Sequence, residues 1–186
     1  MLTPLDPTHG NLRWTQPDVH QRLFELRDGD RLHARLRIER ASGTLATGET
    51  AAGTWTFKRV GFLNPRVTAR TPGSLEDAAV FSPVWGGGGT FALPSGRAAR
   101  WTPGALFGPS AQIVRPDGLI LALFHTVKHG MSVKDLFRTE ADVEILHTAW
   151  HDPDLPLLLV WTWYLMILAY HEETLMVAVT TGRLDD

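Results

Sequence analysis

Short runs in which apolar and polar residues alternate fill most of the first 150 positions of the chain. The clearest run, Arg31–Arg40, has apolar residues at alternate positions: Leu32, Ala34, Leu36 and Ile38. Polar residues stand between and beside them: Arg31, His33, Arg35, Arg37 and Glu39. Because successive side chains of a strand point to opposite faces, the run predicts a strand with one buried face and one solvated face.

About eleven such runs, separated by turn residues such as Asp-Gly, predict strands before residue 151. The predicted strands are 22–27, 31–40, 44–51, 54–62, 66–71, 77–85, 90–93, 97–101, 111–115, 119–127 and 143–150. Their number and spacing are typical of an all-β sandwich or barrel. We interpret residues 1–16, rich in Pro and Thr, as a lead-in segment, and Met131–Phe137 as a strand pair or a helical turn.

An uncharged segment, Leu155–Tyr170, breaks this pattern. It is rich in Leu, too long for an ordinary strand and apolar on every side, so it predicts a helix with no face in water. Asp152 or Asp154 can cap its start, and Pro156 stands where a first turn tolerates proline. Such a helix must be buried in protein or in lipid.

The length of this segment favours burial in protein. Residues 157–170 make about 21 Å of helix at ~1.5 Å per residue, whereas a membrane span usually needs about 20 apolar residues. The charged residues at 172 and 173 interrupt the run, and Leu175–Val179 resumes it. A helix that continues to about Thr180 and crosses a membrane at a tilt is the alternative.

A closed barrel covers all sides of such a helix, whereas a flat sheet covers only one. Eight strands fill a barrel with their own side chains, and about eleven can enclose a central helix. We therefore predict an all-β fold with one helix: a closed antiparallel barrel of about 12 strands around a hydrophobic C-terminal α-helix. The predicted single domain covers residues 17–181, with the helix at about 155–180.

Three segments carry a family resemblance: the hairpin Phe24–Asp30, the strand Trp55–Arg59 and the helix Leu157–Tyr170. Their order resembles the tubby C-terminal domain superfamily, which includes phospholipid scramblases and the plant LURP-one-related proteins. The resemblance covers about residues 20–180. It implies a barrel around a C-terminal apolar helix and binding to anionic phospholipid headgroups.

The binding sites of that superfamily are not transferred to this chain. Tubby domains bind phosphoinositides through a basic pair on the barrel surface, and Lys58-Arg59 does not align with that pair. Scramblases bind calcium through an acidic segment near the helix, and Asp152-Pro153-Asp154 is too short for such a segment.

Composition excludes several classes of protein. The chain has 186 residues and a formal net charge of −2, and a general nucleic-acid binder usually has a basic excess. It contains no cysteine, hence no disulfide and no thiolate metal site, which favours a reducing compartment. Residues 1–10 lack a signal-peptide pattern. We expect a cytoplasmic protein, with peripheral membrane attachment as the alternative.

Four basic residues are the candidate ligand-binding site: Arg35, Arg37, Lys58 and Arg59. Arg35 and Arg37 share the solvated side of one strand, and a neighbouring hairpin carries the other two. Together they can meet anionic headgroups. The alternative is an ordinary solvated exterior in which Glu25 and Glu39 are interspersed. Trp85 and Trp101 lie near predicted loops, where an exposed indole can touch a membrane or a partner.

Two histidine pairs at a spacing of four are candidate metal ligands. His147 and His151 lie next to Asp152, and neutral imidazoles with a carboxylate can hold zinc or iron. His125 and His129 form the second pair. The alternative is that both pairs are ordinary surface histidines, since neither lies on a convincing helix.

Catalytic motifs are weak throughout. Gly86–Gly89 is followed by Thr90-Phe91 rather than the Lys-Ser/Thr of a phosphate-binding loop, so it predicts a flexible hairpin loop. Ser110 lacks the flanking glycines of a nucleophile elbow.

We therefore expect a non-catalytic binding or scaffold domain without a cofactor. Its expected partner is an anionic membrane surface or another protein, and its oligomeric state stays open. The alternatives are a scramblase-like protein whose helix inserts in lipid and a metal-dependent enzyme that uses His147 and His151.

Overall fold

The computed structural model of the chain is a closed antiparallel β-barrel of twelve strands with one long helix inside it. It describes residues 1–8, 10–18, 21–39, 43–61, 65–85, 87–104, 110–127 and 139–181, with side chains up to Tyr170. The strands are β1 Leu12–Thr15, β2 Leu23–Asp28, β3 Arg31–Ile38, β4 Ala46–Thr50, β5 Gly53–Val60, β6 Arg66–Arg70, β7 Ala79–Pro83, β8 Gly89–Ala92, β9 Ala98–Pro103, β10 Ala111–Val114, β11 Ile120–Thr126 and β12 Ala141–Ile145. The helix α1 is Leu155–Thr181.

Each strand pairs with its neighbours in sequence, and β1 pairs with β12 to close the barrel. Leu12 lies opposite Val143, and Trp14 lies opposite Ala141. The predicted fold class is therefore confirmed. The prediction that residues 1–16 are only a lead-in segment is corrected, because this segment contains β1, the strand that closes the barrel. With only four residues among prolines and threonines, β1 is too short for its alternation to stand out.

The predicted strand 143–150 is also corrected. β12 ends at Ile145, and His147–Ala149 forms a 3₁₀ turn. The main-chain N–H of Ala149 donates to the carbonyl of Leu146, and that of Asp152 donates to Ala149. These turns redirect the chain from the wall into the lumen, so alternation alone overestimates the strand. The predicted pair or turn at Met131–Phe137 lies outside the described residues.

His33 is buried, although the alternating pattern of its strand predicts that it lies on the solvated face. Leu26 is opposite Ala34 but Arg27 is opposite Leu32, so His33 is the extra residue of a β-bulge. Its side chain is only 1% exposed, and its Nδ1 is 3.0 Å from the carbonyl oxygen of Thr3. The bulge and the overlying N-terminal residues therefore take His33 out of solvent.

The helix α1 fills the lumen with aromatic side chains. Trp161, Trp163 and Tyr164 are fully buried. Trp163 stacks on Trp14 of β1, with ring centroids 5.5 Å apart. Trp161 stacks on Phe57 of β5 at 5.6 Å and meets Phe91 of β8 at 5.1 Å. Because these strands lie around the whole wall, the helix is covered on every side, as its uniform hydrophobicity requires.

A glycine lets α1 approach the wall closely. A Cβ atom added at Gly48 of β4 would lie 2.5 Å from Cγ1 of Val160 and 2.6 Å from Cε2 of Phe57. Both side chains are fully buried and have no room to move. The missing side chain at Gly48 is therefore what sets the spacing between α1 and β4.

The hydroxyl of Tyr164 ties the helix to the wall, donating a hydrogen bond to the carbonyl oxygen of Thr44. Burial raises the pKa of this phenol above its usual value, although the hydrogen bond to Thr44 and the charge of Arg59 partly oppose the shift.

We predict that Gly48→Ala destabilises the fold by about 1–3 kcal/mol, because the new methyl group overpacks the contact between α1 and β4. Urea unfolding followed by circular dichroism measures the change. Gly10→Ala is the control, since nothing lies within 4 Å of a Cβ atom there. Adding Val160→Ala should recover part of the loss, and equal stability of Gly48→Ala and wild type would contradict this packing.

We also predict that stability falls as the pH rises above about 10. In the unfolded chain Tyr164 loses its proton near its usual pKa of about 10, whereas the folded state holds it protonated, so alkali favours unfolding. Tyr164→Phe should make this decline shallower, while costing about 0.5–1.5 kcal/mol at neutral pH through the lost hydrogen bond. Urea unfolding at pH 7 to 11 tests this, with Tyr170→Phe as the control. Identical slopes for wild type and Tyr164→Phe would refute it.

Candidate functional site

Because α1 fills the lumen, the two ends of the barrel and its outer face are the surfaces that remain for a binding site. We call the end where α1 begins the lower rim; it carries the N-terminal residues and the β2–β3, β4–β5, β6–β7, β8–β9 and β10–β11 connections. The opposite end is the upper rim, with the β1–β2, β3–β4, β5–β6, β7–β8, β9–β10 and β11–β12 connections. Burial of α1 extends from Leu155 at the lower rim to Ile167 near the upper rim.

A charged cluster at the lower rim holds the start of α1. Arg97, after the β8–β9 turn, donates to both carboxylate oxygens of Asp152, at 2.6 and 3.1 Å, and to Asp154 at 2.6 Å. The hydroxyl of Ser95 donates to the same Asp154 oxygen. We call Ser95, Arg97, Asp152 and Asp154 the clasp. The hydrogen bonds to Asp154 and then Asp152 raise the pKa of Arg97.

The clasp refines the predicted helix cap. Asp154 does precede the first residue of α1, and its carbonyl oxygen accepts from the N–H of Leu158 at 2.9 Å. Its carboxylate reaches Ser95 and Arg97 on the wall. One carboxylate oxygen of Asp152 accepts from the N–H of Asp154 at 2.9 Å. The two acids thus join the helix to the β8–β9 hairpin.

The candidate metal ligands do not form a metal centre. Within the described ranges, no three residues of the types His, Cys, Asp or Glu form a group that can hold a metal ion. His147 and His151 are exposed, and Arg97 occupies the carboxylate of Asp152. His125 lies 4.0 Å from Glu144, and His129 lies outside the described residues. The structure therefore does not bring His147, His151 and Asp152 together as a three-ligand group.

Three of the four candidate basic residues share the outer face of β3 and β5. Arg35 and Arg37 lie on β3, and Lys58 lies on β5, with β4 between them. Nε of Arg35 is 3.1 Å from Glu25, whose carboxylate also binds Arg27. Arg35 therefore shares one carboxylate with Arg27. Arg37 and Lys58 are exposed and have no ion-pair partner within the described ranges.

Arg59 lies apart from these three. On β5 it follows Lys58, so it is on the inner side of the strand, opposite the buried Val67. It lines a cavity at the upper rim together with Leu165 and Leu168 of α1. The adjacent pair Lys58-Arg59 thus divides between two faces, because strand side chains alternate.

A mixed apolar and cationic surface at the upper rim includes residues that the sequence analysis missed. Its members are Leu45, Lys58, Arg66, Val84 and Trp85, which we call the upper-rim patch. Ala46 pairs with Phe57, which puts Leu45 beside Lys58. Val60 pairs with Arg66, which makes Lys58 and Arg66 diagonal neighbours on the outer face.

The loop from β7 to β8 completes the patch. Val67 pairs with Phe81, so Arg66 lies beside the end of β7, where the loop begins. The loop exposes about half of Val84 and all of Trp85. Of the two tryptophans predicted near loops, Trp101 is instead half-buried beside Phe81. Arg66 carries no sequence signal of its own, since only strand pairing brings it next to Lys58 and to the end of β7.

In the part of the chain that the structure describes, no helix is long and apolar enough to cross a membrane.

We predict that Arg97→Gln destabilises the fold by about 1–2 kcal/mol, because the carboxylates of Asp152 and Asp154, each less than a tenth exposed, lose their cation. Arg115→Gln is the matched control: its pair with Asp117 is exposed on both sides and should cost less than about 0.5 kcal/mol. Thermal unfolding of both variants measures the difference. Equal losses would mean that the clasp does not hold α1.

Comparisons of the chain with family models, with curated proteins and with solved structures found no significant match. The resemblance to the tubby superfamily therefore stays a prediction that rests on the order of the elements.

Proposed function

We propose that the protein is a non-catalytic binding domain that docks its upper-rim patch on an anionic lipid surface. The observation that carries this proposal is the fully exposed Trp85 on the same rim of the barrel as the exposed cations Lys58 and Arg66. The filled lumen supports a binding role on the exterior, because aromatic side chains of α1 occupy the space that a larger substrate would need.

The charges of the patch are available to a ligand. Within the described residues neither Lys58 nor Arg66 has an ion-pair partner. Six other arginines are each paired with a carboxylate: Arg13, Arg27, Arg35, Arg70, Arg97 and Arg115. A basic residue near an anionic bilayer contributes about 1 kcal/mol of binding free energy.

The apolar members of the patch fit the same surface. Tryptophan is enriched at the boundary between headgroups and acyl chains, where its ring is buried and its N–H stays hydrated. Leu45 and Val84 are each about half exposed at the same rim as Trp85. A lone exposed apolar residue is ordinary, but three of them interleaved with two unpaired cations fit an anionic interface.

We predict that the protein co-sediments with phosphatidylserine-containing vesicles at low salt and binds phosphatidylcholine vesicles weakly. Trp85→Ser and the double variant Lys58→Glu/Arg66→Glu should each weaken binding at least tenfold. Binding should also fall as salt rises, because screening weakens the attraction between exposed charges and the surface.

The lower rim offers matched controls. Leu75→Ser removes another strongly exposed apolar side chain, in the β6–β7 loop, and Arg31→Glu/Arg115→Glu makes the same change in net charge. Both should bind vesicles as the wild type does. Absence of binding to anionic vesicles at low salt, or equal losses for variants at the two rims, would refute the proposal. Absence of binding would also favour a protein partner.

A further inference from the structure

A cavity of about 300 Å³ opens at the lower rim, between the β8–β9 turn and the β10–β11 turn. Its floor is apolar: Ala99 of β9, Leu121 of β11 and Leu158 of α1 line it. Each of these three side chains is at most 1% exposed. We call this space the hairpin cavity. Because its floor includes both the wall and the helix, a molecule bound there contacts both.

Small residues and a bend in the wall explain why the hairpin cavity exists. Two alanines, Ala98 and Ala99, begin β9 and line the cavity. The register between β10 and β11 shifts after Ile113, which makes Leu121 the extra residue of a β-bulge. A bulge bends its strand, and a methyl side chain is too short to fill the space next to the helix. The wall and α1 therefore stay apart at this point of the rim.

The charged residues that line the hairpin cavity form ion pairs in the described part of the chain. Arg97 lies 2.6 Å from Asp152, and Arg115 lies 2.7 Å from Asp117. All four line the cavity. An ionised ligand would either leave its own charge unpaired against apolar walls or break one of these pairs, and both cost free energy. The cavity therefore favours a ligand without charge.

We propose that the hairpin cavity binds a neutral, mainly apolar small molecule of about ten carbon atoms. The size follows from the volume, because an apolar cavity of about 150 Å³ holds benzene and this one is about twice as large. Small-molecule pockets begin at about this volume and are lined mainly by apolar side chains. This inference goes beyond membrane docking, since the hairpin cavity and the upper-rim patch lie at opposite ends of the barrel.

Isothermal titration calorimetry of the full chain with three ligands of the same two-ring size tests the proposal. Neutral 2-naphthol should bind, whereas 2-naphthoate, an anion, and 2-naphthylmethylammonium, a cation, should bind at least about tenfold more weakly, because each brings an unpaired charge to apolar walls. Ala99→Leu should weaken naphthol binding at least about tenfold by filling the floor of the cavity. The upper-rim variant Lys58→Glu/Arg66→Glu should bind naphthol as the wild type does.

A second variant tests the role of the ion pairs. Asp117→Asn leaves Arg115 without its carboxylate at the cavity. This variant should bind 2-naphthoate about threefold more tightly than the wild type, the size of effect expected for a partly exposed charge pair, and 2-naphthol with unchanged affinity. Asp142→Asn is the matched control, because it frees Arg13, which does not line the cavity.

Three results would each overturn the proposal: no naphthol binding, equal binding of naphthol and naphthoate by the wild type, or unchanged naphthol binding by a folded Ala99→Leu variant. Equal naphthoate affinity of Asp117→Asn and Asp142→Asn would overturn the account of charge selection. The ligand series and the Asp117 variant keep the test decisive if Ala99→Leu fails to fold. Naphthol binding without vesicle binding would refute only the docking proposal.

Discussion

The need to bury a helix that is apolar on every side determines the rest of this structure. An isolated sheet would leave half of α1 in water, so the sheet must close around it, and β1 must meet β12. A helix with its side chains is about 10–12 Å wide. Twelve strands provide that space, and it is then filled by Trp161, Trp163 and Tyr164 of α1. Closure also pairs the strand edges, which would otherwise be exposed to association with other chains.

With the lumen filled, the two rims of the barrel are distinguished by whether their charged residues have ion-pair partners. At the lower rim, arginines are paired with acids, and the clasp around Arg97 joins α1 to the wall. At the upper rim, Lys58 and Arg66 lack ion-pair partners within the described ranges, and Trp85 is exposed on the same rim. Paired charges stabilise the fold, and unpaired charges beside apolar groups are suited to a ligand. The proposed docking surface therefore lies at the upper rim.

Most of the barrel follows from local pattern, because alternation and turn residues are properties of neighbours in sequence. The eleven predicted runs correspond to β2–β12, and the uncharged run corresponds to α1. The errors have physical causes. β1 was missed because it is only four residues long. The strand β12 was predicted too long because the residues of the 3₁₀ turn that follows it continue the alternating pattern. His33 was assigned to the solvated face because strict alternation does not foresee the β-bulge at this residue.

The sequence by itself determined that this chain forms strands, that its C-terminal helix has no side for water, and hence that the sheet closes around it. The tertiary structure alone decided which charges have partners. Asp152 meets Arg97, 55 residues away in the chain, and Glu25 meets Arg35 across a strand pair. It also separated Arg59 from Lys58, which lie on opposite faces of β5, and brought Arg66 next to Lys58. Periodicity specifies the face on which a side chain lies, whereas its neighbours on that face come from strands that only closure and register bring together.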